Sequence, residues 1–130
     1  MLIILHFVLM MAAVLFLIAG IGIAMFGRKK KLWFKWHKRF NTTGFCLLTA
    51  GAAMAFANVA LSAGQHMAGL HPWTGFAALV MVCLTVFLGF YSLQASNKPA
   101  VRMVHKWTGR FSGIAILCAF ALGLSIIGIL

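Results

Sequence analysis

The sequence predicts an all-α membrane protein, an antiparallel four-helix transmembrane bundle with both termini outside. Three observations predict it. Hydrophobic residues make up 64% of the 130 and charged residues 8%, roughly a third of the charged share of a soluble domain. A chain this short could not hide so much apolar surface in water. The apolar residues fall into four runs, Leu2 to Phe26, Phe40 to Ala63, Trp73 to Leu93 and Phe111 to Leu130, each near the length of about 20 residues that a helix needs to cross the hydrocarbon. No run alternates at period two, which leaves helices as the reading in lipid.

One domain, 1–130, is expected, with helices over about 2–27, 32–63, 71–94 and 99–130. The first run lacks a basic leading segment and a small-x-small cleavage site and is too long for a signal-peptide core, so it is expected to stay as a helix. The second and fourth helices begin ahead of their apolar runs and project into the headgroups. Pro99 suits a first helical position, and Asn97 suits the cap before it.

Charge gives the orientation. There are 11 Lys and Arg, no Asp and no Glu, for a net charge of +11. Arg28, Lys29, Lys30, Lys31, Lys35, Lys38 and Arg39 follow the first run, and Lys98, Arg102, Lys106 and Arg110 precede the fourth. The positive-inside rule makes that side cytoplasmic, and the expected location is the cell's inner, cytoplasmic membrane. Confined to these two clusters, the basic residues read as topology signals and lipid contacts, so nucleic acid is not an expected partner. Trp33, Trp36 and Trp107 read as interfacial aromatics. The missing carboxylates exclude acid–base catalysis by an Asp/Glu pair and a carboxylate proton relay. Cys46, Cys83 and Cys118 lie inside apolar runs without a CxxC or CxxCH, which leaves covalent c-type haem attachment and a thiolate metal site unsupported and apolar packing as their expected role.

The histidines carry the chemistry. His6 and His71 fall near the outer ends of the first and third helices, and His37 and His105 near the inner ends of the second and fourth. A polar ring in a membrane helix is costly without a partner, and two rings at each of two depths are what two bis-histidine haems in a four-helix bundle require. His71-Pro72-Trp73-Thr74-Gly75 and His105-Lys106-Trp107-Thr108-Gly109 share the pattern H-x-W-T-G. Gly75 and Gly109 lie one turn along the histidine face, and Gly44 lies on the stripe of His37, where a missing Cβ leaves clearance for a porphyrin. Gly20 and Gly51 lie 14 residues after His6 and His37, and Gly89 and Gly123 lie 18 after His71 and His105. Both spacings return to the histidine face, so these glycines are expected to admit the opposite haem. His66 is expected to be a loop residue near the outer haem's propionates or a proton acceptor, and not an axial ligand.

These residues resemble the cytochrome b561 family of membrane dihaem electron carriers. His6-Phe7-Val8-Leu9-Met10 running to Gly27-Arg28 is similar to the family's opening helix. Trp36-His37 with Gly44, His71-x-Trp73-x-Gly75, and Arg102-x-x-His105-x-x-x-Gly109-Arg110 are similar to the next three. The resemblance implies two non-covalent haem b groups, one shared by His6 and His71 and the other by His37 and His105, and electron transfer across the membrane. Arg39, Arg110, Lys38 and Arg102 are the expected propionate partners. The chain departs from animal and plant members, which have six helices, and no basic residue stands on its outer face to hold ascorbate. A bacterial or archaeal core cytochrome is the better match, with a quinol or a redox partner protein supplying electrons. It would be an electron carrier or transmembrane oxidoreductase with no acid–base residues of its own. A haem-binding membrane anchor for a larger redox complex and a haem-free four-helix protein are the alternatives, and a homodimer and a monomer are both compatible. Positive charge near the inner ligands favours reduced haem there, so the inner haem is expected to have the higher potential.

Overall fold

The computed structural model describes residues 1–62 and 64–130. Four helices follow one another: α1 (Leu2–Phe26), α2 (Trp33–Leu61), α3 (Leu70–Gln94) and α4 (Lys98–Ile126). All four are long and apolar enough to cross a membrane. The expected end of the second helix, residue 63, lies outside the described residues; α2 closes at Leu61, where the Ser62 N–H bonds Asn58 O.

The helix ends have local causes. Gly69 caps α3 with a φ of +90°, a conformation that glycine adopts without strain, so α3 starts one residue earlier than expected. Asn97 caps α4 by accepting the Ala100 N–H at 3.2 Å. Pro99 follows at the second helical position, where its missing N–H leaves no bond unmade. The fourth helix stops short of the expected Leu130. Gly128 turns to a φ of +73°, its N–H reaches Ser125 O, and the Ile129 N–H reaches Leu124 O. These two bonds form a Schellman stop, which takes up the last free carbonyls of the helix.

The chain folds as two antiparallel hairpins. α1 packs along α2 and α3 along α4, while the hairpins touch each other much less. Both termini lie at one end. The connections carrying Arg28 to Lys31 and leading into Lys98 lie at the other, here called the basic end.

What is buried is small. The interior holds Ala13, Leu17 and Gly20 on α1, Gly44, Leu48 and Gly51 on α2, Ala78 and Val82 on α3, and Ser112, Ile116 and Ala119 on α4. Each helix thus places a small residue, an aliphatic residue and another small residue 7, 11 and 14 positions after its histidine; on α3 the last of these is the half-buried Thr85. The large side chains face outward: Phe56, Phe76, Phe87, Phe111 and Ile114 are all more than half exposed. Lipid is the solvent that suits such a surface. There, close backbone approach between small residues replaces the hydrophobic drive that holds helices together in water. Most serine and threonine hydroxyls on the helices turn back onto their own carbonyls, as those of Thr49, Thr74, Thr108 and Ser125 do, which keeps these O–H groups paired where there is no water.

Gly44 marks a close approach of α2 to the α1 backbone. A Cβ there would stand 2.7 Å from Leu17 Cγ and 3.1 Å from the Leu17 backbone nitrogen. Gly44→Leu should lower the thermal melting midpoint of the detergent-solubilised protein, by overpacking worth about 1–3 kcal/mol. Gly22→Leu should leave it unchanged, since a Cβ at Gly22 meets nothing within 4 Å. Equal drops in both variants would remove the packing explanation.

Candidate functional site

Each of the four membrane histidines is turned by one hydrogen bond to a backbone carbonyl of its hairpin partner. His6 Nδ1–H donates to Gly51 O at 2.8 Å and His37 Nδ1–H to Gly20 O at 2.8 Å, crossing between α1 and α2 in both directions. In the second hairpin His71 donates to Ala119 O and His105 to Thr85 O, both at 2.9 Å. Every acceptor lies 14 residues after the histidine on its own helix. The four helices are therefore versions of one unit, each giving a ring at one end and a carbonyl at the other. Fourteen residues at a rise of 1.5 Å put the two histidine layers about 21 Å apart along the axis.

With Nδ1 carrying the proton, Nε2 keeps its lone pair, which is how a second partner prepares a metal-binding imidazole. Across the gap between the hairpins, the rings meet in diagonal pairs. The His6 and His71 ring centres are 6.3 Å apart with planes at 74°, and those of His37 and His105 are 6.2 Å apart at 81°. Two metal–imidazole bonds of about 2 Å, with roughly 1 Å from each nitrogen to its ring centre, add up to about 6 Å. Each pair thus has the separation of two imidazoles on one metal ion. Among the described residues no three His, Cys, Asp or Glu side chains converge; the ring pairs are the residues brought together that could share one metal-bearing cofactor.

The family model described as eukaryotic cytochrome b561 matches residues 1–130, the whole chain. The chain belongs to the cytochrome b561 family. No curated protein and no solved structure matches it. Membership makes it a multi-pass membrane cytochrome that binds haem b and carries electrons across the membrane, in contact with lipid along all four helices.

For a cytochrome b561, the surroundings of the rings are informative. Gly89 and Gly123 border the imidazoles: an added Cβ would come 3.0 Å from His105 Cε1 and 3.0 Å from His71 Cε1, respectively. Gly20 and Gly51 supply the acceptor carbonyls. A Cβ on Gly20 would overlap the Asn41 amide, and one on Gly51 would press on Met10 and Leu9. The contacts at all four glycines are protein contacts, within a hairpin. Gly44 abuts Leu17, whereas Gly75 has open space and Gly109 has only ordinary contact with Thr85. A cavity of about 320 Å³ opens beside His71, lined also by Gly69, Leu70, Leu122, Ser125 and Ile126. A larger groove at the basic end is lined by Trp33, Trp36, Lys30 and Lys31 and includes none of the four histidines.

Three of the basic residues near the His37–His105 pair rest on aromatic faces. Lys38 Nζ lies 5.3 Å from the Phe90 ring centre, tying α2 to α3, while Arg39 sits over Trp36 at 5.8 Å and Arg110 over Trp107 at 4.9 Å. Arg102 stands exposed on α4. His66 stacks on Phe56 with centres 4.0 Å apart, folding the connection after α2 back onto that helix.

The residue types gave no sign of the carbonyl acceptors at Thr85 and Ala119 or of the Asn41 amide beside His37. The 14-residue spacing was visible at Gly20 and Gly51, but a backbone oxygen exists at every position and leaves no mark in the residue type. Gly123→Val and Gly89→Val should each lower the haem bound per chain, measured by pyridine haemochrome, because the new side chain enters the imidazole's place. Gly22→Val should not. Full haem in both ring-side variants would show that these glycines do not seat the rings.

Proposed function

We propose that the chain holds two haem b groups, one between His6 and His71 and the other between His37 and His105. They would carry electrons between a quinol or a cytoplasmic-side reductant and an acceptor on the opposite face. The observation that carries this reading is the pair of matched ring separations, 6.3 and 6.2 Å, with every Nδ1–H already committed to a carbonyl. Bound haem supplies the one-electron chemistry. The protein's part is to hold and orient. Held by His6 with His71 and by His37 with His105, each haem would have no coordination site left open, which would favour electron transfer over oxygen chemistry. The chain has no Asp or Glu, so no carboxylate side chain takes up a proton as an electron passes through the bundle.

The positive-inside rule supports a basic end facing the cytoplasm in the inner membrane. Lys38, Arg39, Arg102 and Arg110 lie near the His37–His105 layer in sequence and remain the propionate candidates. Swinging Arg39 or Arg110 off its aromatic face costs a cation–π contact of about 0.5–1 kcal/mol at an exposed site, less than a charge-assisted hydrogen bond to a carboxylate returns.

The detergent-purified protein should give sharp low-spin bands in a reduced-minus-oxidised spectrum and two haems b per chain by pyridine haemochrome. His71→Ala and His105→Ala should each leave one. A single haem in the unaltered protein would mean that one pair is idle. Redox titration should assign the higher midpoint to the haem retained by His71→Ala, the one at the basic end, because nearby cations favour the reduced state. The reverse order would rule out cationic charge as the dominant influence.

A further inference from the structure

We infer that Asn41 is a positioning residue that raises the reduction potential of the haem held by His37 and His105; this rests on the two-haem reading above. The four ring sites are otherwise equivalent, each with one Nδ1–H donated to one carbonyl. The position one turn after each histidine is Met10, Asn41, Gly75 or Gly109, so only His37 has a polar side chain there. Asn41 is half-buried. Its Nδ2 donates to His37 O at 2.7 Å and lies 3.1 Å from His37 Nδ1, whose own hydrogen goes to Gly20 O. A carbonyl can accept only from the nitrogen of the amide. The bond to His37 O therefore turns the NH₂ group, the positive end of the amide dipole, toward the ring.

The protein makes room for this arrangement. Gly20 faces the amide, and a Cβ there would overlap it. When a liganded iron is oxidised, part of the added positive charge spreads onto its imidazoles. A positive dipole end 3.1 Å away opposes that charge in a low-dielectric setting and so favours the reduced form. Amide and carbonyl together thus distinguish His37 from the three other rings.

Asn41→Ala and Asn41→Ser, compared with the unaltered protein for haem per chain and midpoint potentials, test this. Two haems should remain. One midpoint should fall and the other hold, the serine being too short to reach the ring. Gly20→Ala should lower the same midpoint by displacing the amide, and should add nothing in the Asn41→Ala background. A rise in midpoint would mean that the amide oxygen faces the ring, and unchanged or equally shifted midpoints would mean that Asn41 only packs; each overturns the inference. Loss of haem from both Asn41 variants counts against it too, because tuning requires a haem that binds without the amide. Fewer than two haems in the unaltered protein would bring down the two-haem reading instead.

Discussion

The bond from each histidine Nδ1–H to a carbonyl of the neighbouring helix organises much of this molecule. Within a bilayer an unpaired imidazole N–H has no water to turn to. A helical carbonyl has a second lone pair beyond its own helical bond, and the close approach of a neighbouring helix brings that lone pair within 2.8–2.9 Å of the ring. The approach depends on small residues. Gly20 and Gly51 carry the acceptors in the first hairpin, and Gly44 lets α1 and α2 close on one another through Leu17. Hairpin register, ring orientation and choice of tautomer are thus aspects of one constraint.

Rings fixed in this way face the gap between the hairpins. The contrast between tight hairpins and their looser mutual contact follows: the histidine pairs span the interface that the helices themselves close least. A flat cofactor gripped between diagonal helices would belong to both hairpins and join them. The thin interior, with no large side chain fully buried among the described residues, suits a fold in which a cofactor completes the packing.

The two layers share one geometry but differ in environment. All 11 cations stand at or near the basic end and no acidic side chain exists to neutralise them, so their counter-ions come from outside the chain, as lipid phosphates or cofactor carboxylates. Aromatic faces hold several of them meanwhile. Asn41 adds a dipole beside one ring of that same layer. A near-repeat of four helical units thereby acquires two electrically distinct ends, the arrangement a directional electron path requires.

Composition and four apolar runs were enough to determine four membrane-length helices, because lipid leaves the backbone no other way to satisfy itself. The basic residues determined which connections share an end, and depth along each helix brought His6 to His71 and His37 to His105. Depth is legible because each residue advances a helix by a fixed rise. Rotation about the helix axis and the distance to a neighbour are set by packing, and there only the tertiary structure decided. It set Gly20 and Gly51 against Asn41, Met10 and Leu9, where the spacing had suggested an approaching haem, and it put the rings of His105 and His71 beside Gly89 and Gly123. It chose Thr85 and Ala119 as acceptors, although nothing in either residue type announces a carbonyl in use. It ended α4 at Ile126, where Gly128 could turn into the left-handed region, and it placed Arg39 and Arg110 against tryptophan faces one turn earlier on their own helices.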